Sequence, residues 1–233
     1  MSSVLMYSGG LDSLIAYYFL KWRDGKAPLC VYASLGHKYE GKEKQAMARI
    51  YNMGGPAYVI DDTLNLGKWE EPNANIPQRN MFLAMVGAYY GDEIYLVCQK
   101  GEQDIPDRSP KFFEESSKMI SLLNGKEIVV NPVFGDYTKT EMVRWFIREG
   151  FDIDVLKESV SCYSGEGGKQ CGKCSSCFRR WVSMFLNGVE EEYESNPWEW
   201  EGIAGYLERI KNNQYIKERS DDILDALRRK DVI

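Results

Sequence analysis

Two groups of residues in this 233-residue chain have the types and spacing to do chemistry. The first stands near the start: Ser8-Gly9-Gly10-Leu11-Asp12-Ser13. Four mostly apolar residues, Val4 to Tyr7, precede it, and the apolar run Leu14-Ile15-Ala16-Tyr17-Tyr18-Phe19-Leu20 follows. That order reads as a buried strand, a tight glycine turn and a helix N-terminus. Such a turn offers backbone N–H groups and the positive end of a helix dipole to an anion. Gly9 and Gly10 reach backbone angles closed to other residues and let the anion come close. Ser8 and Ser13 add hydroxyl donors. Asp12 fits beside a phosphate only with a cation such as Mg²⁺ between the two negative charges. No Gly-Lys-Ser/Thr follows, so the turn is not a Walker A loop. The plain alternative is an ordinary Ser-Gly turn between a strand and a helix.

The second group is Cys162, Cys171, Cys174 and Cys177, spaced C-x8-C-x2-C-x2-C among Gly165, Gly167, Gly168 and Gly172. Short x2 spacings let sulfurs of one turn point at a single ion. Four thiolates suit tetrahedral Zn²⁺ and leave no open position for water, so the site reads as structural. Disulfides and an iron–sulfur cluster are the competing readings. Cys30 and Cys98 fall inside expected strands and read as buried thiols.

The elements that must position these groups alternate. Strands are expected at 4–7, 28–34, 57–60, 93–98 and 127–131. Helices are expected from 11 onward and at 39–52, 80–90, 111–123 and 138–149. Thr138 is the N-cap of the last, with Glu141 three residues on, in capping-box spacing. Stretches 61–75 and 99–110 are polar and read as surface loops. Buried-looking strands alternating with helices imply an α/β fold with a doubly wound, parallel five-stranded sheet. Ligands then bind at the carboxyl ends of the strands, so the loops after strands one, two and four and the one before Asn80 should wall the site. Glu190-Glu191-Glu192 reads as a solvated helix face, Ile223, Leu224 and Leu227 as one face of a short final helix, and Trp198 and Trp200 as tail anchors or a partner surface.

Composition sets outer bounds. Hydrophobic residues make up 44% and charged residues 27%, ordinary for a globular chain. A net charge of −6 argues against broad nucleic-acid binding. No apolar run approaches a membrane span, and the chain enters a strand at once, so the expectation is a cytoplasmic protein without signal peptide or membrane partner. A reducing compartment favours metal over disulfides at the four cysteines.

The Ser-Gly-Gly-x-Asp-Ser turn resembles the PP-loop of the N-type ATP pyrophosphatases. With the C-x8-C-G-x-C-x2-C pattern, the chain is similar to the 7-cyano-7-deazaguanine synthase (QueC) family. Ser161-Cys162-Tyr163-Ser164-Gly165 matches a segment that precedes the family's long cysteine gap. Pro77-Gln78-Arg79-Asn80 stands for the family's Pro-Gly-Arg-Asn, and Ile105-Pro106-Asp107-Arg108-Ser109 for its Tyr-Pro-Asp-Cys-Arg. The likeness covers about residues 1–188.

The resemblance implies an adenine nucleotide alpha hydrolase-like domain over 1–150. It implies a zinc-binding loop of four cysteines and a helical C-terminal tail over 151–233. It implies a ligase that uses ATP and Mg²⁺ to adenylate the carboxylate of 7-carboxy-7-deazaguanine. Ammonia, present as ammonium, then gives the amide, and a second adenylation gives the nitrile. Ser8, Gly9, Gly10, Asp12 and Ser13 would contact the nucleotide, with Asp12 holding the metal, and Asn80 would cap its helix or contact the nucleobase. Arg79 and Lys38 would meet phosphate or developing charge. His37, Asp104 and Asp107 would contact the deazaguanine, whose paired N–H donors suit a carboxylate. A surface histidine, a solvated lysine and an acidic surface loop are the respective alternatives.

Three segments depart from the family pattern: Leu35-Gly36-His37-Lys38-Tyr39, Gln78 in place of a glycine, and Asp107-Arg108-Ser109. They motivate a second reading, a relative that hands the activated acyl group to another amine on a protein or nucleic acid. The tail from Glu190 to Ile233 also runs beyond the family pattern and leaves a protein partner open, as is a homodimer.

Overall fold

A computed structural model describes residues 2–164 and 170–233. Gly165, Gly167 and Gly168 of the cysteine segment lie outside the described residues. The first half of the chain follows the expected alternation: β1 Ser3–Met6, α1 Leu11–Asp24, β2 Leu29–Ala33, α2 Glu40–Asn52 and β3 Tyr58–Asp61. It continues with α3 Arg79–Gly87, β4 Glu93–Val97, α4 Pro110–Asn124, β5 Val129–Val133 and α5 Lys139–Arg148. The rest is helical: α6 Ile153–Lys157, α7 Ser175–Phe185, α8 Ile203–Lys211 and α9 Lys217–Arg229.

All five strands are parallel, in the order β3-β2-β1-β4-β5. Registers such as Leu5 with Cys30 and Val4 with Ile94 lock β1 between its two neighbours. Alternation along β1 sends Leu5 and Tyr7 into one core, against α1, α2 and α5, and Val4 and Met6 into the other, against α3 and α4. This is the doubly wound parallel sheet expected from the pattern. The first core also takes Val155 and Leu156 from α6 and Met184 from α7. A third cluster joins Phe178, Trp181 and Val182 of α7 to Ile203 and Tyr206 of α8 and Ile223, Ala226 and Leu227 of α9. Trp198 and Trp200 pack against that cluster and so anchor the tail. No helix among the described residues is long and apolar enough to cross a membrane.

Several expectations shift. β5 runs two residues later than expected and includes Pro132, which an edge strand tolerates because it leaves no inner ladder bond unmade. β3, the opposite edge, is not buried: Val59 and Ile60 are exposed. Glu190-Glu191-Glu192 forms no helix. Glu191 is instead drawn inward by Arg180, which is fully buried and 2.6 Å away. Arg180 also donates to Ser159 Oγ at 2.8 Å and to the Leu156 carbonyl at 3.2 Å, so one buried guanidinium ties α7 to the chain leaving α6. Short 3-10 turns interrupt both polar loops, at Gly67–Trp69 and Pro106–Arg108.

The capping box at α5 forms as the spacing predicts. Glu141 N–H donates to Thr138 Oγ1 at 3.2 Å, and Thr138 N–H to Glu141 Oε2 at 2.7 Å. Thr138→Ala is expected to lower stability by about 1 kcal/mol. A thermal melt within error of the parent would show that the box adds nothing here.

Candidate active site

With β2 on one side of β1 and β4 on the other, successive crossovers leave the carboxyl ends of β1 and β4 pointing at a common crevice. A cleft of ≈ 240 Å³ lies there. The Ser8–Ser13 turn lines it through Ser8, Gly10, Leu11, Asp12 and Ser13. The turn is held by its own hydroxyls: Ser8 N–H donates to Ser13 Oγ at 3.2 Å, Gly10 N–H to Ser8 Oγ at 3.3 Å, and Ser13 Oγ–H to the Gly10 carbonyl at 3.1 Å. Gly9 has φ +69, and a Cβ there would stand 2.7 Å from Met47 Cγ. Only glycine lets the turn seat on α2 in this conformation. The first N–H groups of α1 have no intrahelical acceptor and are available to an anion.

Charge gathers around this turn. The Lys139 ammonium, at the N-terminal end of α5, pairs with Asp12 Oδ1. Burial and Arg179 together draw the Lys139 ammonium below its ordinary value, while Asp12 opposes them. Glu102, nearly buried, takes Arg108 at 2.6 Å and Arg179 at 3.7 Å. Burial alone would raise the Glu102 carboxyl; the two guanidiniums and the Gln99 N–H outweigh it and hold it below the usual range. Arg79 lines the cleft and reaches the Tyr39 hydroxyl at 3.5 Å. Beside it stands an aromatic wall, with His37 and Tyr39 centroids 4.2 Å apart and Tyr39 and Tyr163 centroids 5.6 Å apart. His37 is buried and meets Glu43 Oε2 at 2.9 Å, where the Tyr32 hydroxyl also donates.

The four cysteines converge beside this wall. Their sulfurs all lie within 4.8 Å of one another. The Cys171–Cys177 separation is 3.9 Å, close to the ~3.8 Å edge of a tetrahedron with ~2.3 Å metal–sulfur bonds. Backbone N–H groups of Ser164 and Lys173 point at Cys162 and Cys171 sulfurs, at 3.4 and 3.3 Å, as thiolates require. Cys174 caps α7, accepting from Cys177 N–H at 3.4 Å. At Gly172, φ +74, a Cβ would overlap the Ser195 carbonyl at 1.6 Å, so the knuckle docks directly on the tail. All six cysteines are free. The donor set fits zinc. Burial pushes the Cys98 thiol up to about 11 and the Cys30 thiol up to about 12.

The family model described as queuosine biosynthesis protein QueC matches residues 56–185, more than half of the chain. The chain belongs to that family. The 7-cyano-7-deazaguanine synthase of Sulfolobus acidocaldarius is 28% identical over 226 residues, which take in 82% of this chain and 48% of that protein. The Archaeoglobus fulgidus protein of the same name is 26% identical, over 91% of this chain and 97% of its own length. That of Chlorobaculum tepidum is 27% identical, over 84% and 98%. The chain thus spans about half the length of the Sulfolobus relative and nearly all of the other two.

In this QueC-family chain the sequence-based candidates divide. Ser8, Gly10, Asp12, Ser13, His37, Arg79 and Asn80 line the cleft, and Gly9 supports the turn from beneath. Asn80 does not cap α3; its Nδ2 donates to the Asp107 carbonyl at 2.9 Å, and the capping position is Gln78, at φ 62. Lys38 lies outside the lining, 47% exposed and 3.6 Å from Glu70. Asp104 is exposed, and neither Asp104 nor Asp107 lines the cleft. The 3-10 turn at Pro106–Arg108 sends Arg108 inward to Glu102 and spends the Asp107 carbonyl on Asn80.

The inward residues of that loop are Gln99 and Glu102, which carried no motif, and Arg108, which stood in the Ile105–Ser109 segment without a role of its own. Ser161, Tyr163, Ser176 and Arg179 form a further wall. Ser161 and Tyr163 stood in the segment matched to the family; for Ser176 and Arg179 the sequence cue was proximity to the cysteines. For Lys139 the cue was its place at a capped helix start after a parallel strand.

Proposed function

We propose that the cleft binds Mg²⁺·ATP and adenylates the carboxylate of 7-carboxy-7-deazaguanine. The observation that carries this reading is the glycine turn at the floor of the β1–β4 crevice, in a chain of the QueC family. The turn's free N–H groups, with the Ser8 and Ser13 hydroxyls, suit a phosphate chain. Asp12 would hold Mg²⁺, which neutralises phosphate charge. Arg79 would offset charge building on the α-phosphate. Tyr39 and Tyr163 offer flat faces for a purine-like ring, and the Glu43 carboxylate beside His37 offers an acceptor for its paired N–H groups.

A carboxylate oxygen attacks the α-phosphorus and pyrophosphate departs. Ammonia attacks the acyl carbon and AMP departs with the former carboxylate oxygen, leaving the amide. The amide oxygen is adenylated by a second ATP; loss of AMP and a proton leaves the nitrile. AMP is a good leaving group where the bare oxygen is a poor one, so the protein's share is positioning and charge stabilisation. Zn²⁺ on the four cysteines would be structural.

A second reading is favoured by one observation. Leu35, His37, Tyr39 and Arg108, in segments that depart from the family pattern, border the cleft. Such a rim suits an acceptor other than ammonia, an amine of a protein or nucleic acid.

Product mass after incubation with ATP, Mg²⁺, the acid and ammonium separates the two readings. Nitrile is the expected product, with two AMP released per turnover. Adenylate that accumulates without amide or nitrile would refute the first reading and favour the second.

A further inference from the structure

A second, smaller cavity of ≈ 40 Å³ opens where the loop after β4 meets α5, α7 and α9. It shares Gln99, Glu102 and Arg179 with the main cleft, so the two are neighbours across these side chains. Its remaining wall includes Lys139 of α5 and Arg219 of α9. α9 is held in place by contacts that do not involve Arg219. Lys100 Nζ meets Glu218 at 2.7 Å, and Ile216 packs so close to Gly101 that a Cβ there would lie 2.9 Å from it.

The charges facing this cavity do not balance locally. Lys139 is taken by Asp12, Lys100 by Glu218, and Glu102 chiefly by Arg108 at 2.6 Å. Arg179 reaches Glu102 only at 3.7 Å, and its buried Nε has no hydrogen-bond partner among the described residues. Arg219 lies over the Tyr215 ring at 4.1 Å and makes no ion pair among the described residues. Asp222 lines the same cavity but makes no ion pair with either guanidinium among the described residues; Thr140 hydrogen-bonds to it. Two guanidiniums therefore face one half-buried space in which the one ion-paired carboxylate, Glu102, is held more closely by Arg108 than by Arg179. Like charges so placed oppose folding unless an anion sits between them. Guanidiniums are the side chains that meet phosphate oxygens in pairs.

We propose that Arg219 and Arg179, with Lys139, form a polyphosphate-binding extension of the cleft, and that the C-terminal tail serves to bring Arg219 to it. If the ATP reading above holds, the occupant is the β,γ-phosphate pair and then the pyrophosphate leaving group. The tail is then part of the phosphate site and not solely a surface for a partner.

The probe is inorganic pyrophosphate, titrated calorimetrically into the full chain, with ATP and AMP in parallel. Arg219→Gln is expected to weaken pyrophosphate binding at least tenfold and leave AMP binding unchanged, since AMP lacks the distal phosphates. Arg219→Lys, which keeps the charge without the fork, should fall between. Arg209→Gln, on the exposed side of the tail, should bind as the parent does. Parent-like pyrophosphate affinity in Arg219→Gln or Arg219→Lys overturns the proposal while leaving ATP binding to stand. A parent that binds pyrophosphate through Arg219 but does not bind ATP keeps this site and removes the ATP reading. A parent that binds neither removes both.

Discussion

Asp12→Ala is expected to abolish ATP-dependent pyrophosphate release, by roughly 10³-fold or more, the scale of losing a preorganised charge-stabilising group. Asp12 stands in the first turn of α1, at the mouth of the glycine turn, with its carboxylate toward Lys139. Without a metal ligand there, the phosphate charge faces the turn's donors alone. Asp12→Asn should fail almost as fully, because it keeps the shape and loses the charge. The substitution also strips Lys139, 13% exposed, of its partner, which costs stability. A melting curve must therefore accompany the assay. Folded Asp12→Ala with near-parent turnover at saturating Mg²⁺ would refute the metal-ligand role.

Cys174→Ser should unravel the C-terminal part before it touches nucleotide chemistry. The expected parent stoichiometry is one zinc per chain. Structural zinc sites contribute on the order of 10–16 kcal/mol in small domains, so losing one ligand of four should cost at least ~3 kcal/mol. For a chain of this size that is a fall in Tm of about 6–12 °C. The cluster around the sulfurs holds little beyond Ala46, Val160 and Tyr193, too little apolar surface to order the knuckle alone. Cys174 is also the N-cap of α7, and α7 carries Arg179 to the cleft and Arg180 to its buried pairing. Turnover should thus fall as a consequence of unfolding, and recover when the assay is cooled below the new Tm. Iron in place of zinc, a disulfide among the four, or an unchanged Tm would each contradict this.

What could be read from the chain alone was local in origin. The strand, glycine turn and helix around Ser8–Ser13 are written in adjacent residues. So are the x2 cysteine spacings and the Thr138–Glu141 box. The parallel sheet followed from alternation of such units, because the right-handed crossover leaves few other ways to bury both faces of each strand. The edges were misjudged for a related reason: a run such as Tyr58-Val59-Ile60 looks the same in a central strand and at a sheet's margin.

Tertiary structure decided the charged residues. Glu102, Lys139, Arg179, Arg180, Glu191 and Arg219 look like solvated surface in sequence, because single charges nearly always are. Their partners follow no local pattern: Arg108 stands six residues from Glu102, Glu191 eleven from Arg180, and Asp12 127 from Lys139. Arg180 with Glu191, and Glu102 with Arg108 and Arg179, gain their meaning only when the chain folds. Conversely, Asp104 and Lys38 carry suitable chemistry in suitable loops and yet face solvent. A loop's sequence specifies its donors and acceptors, but a 3-10 turn of three residues chooses which of them point inward. Sequence by itself therefore determined the sheet, the glycine turn and the four-sulfur site, each built from short-range geometry. The direction of every loop side chain, and the return of the tail to the cleft, were settled by packing and charge pairing between distant segments.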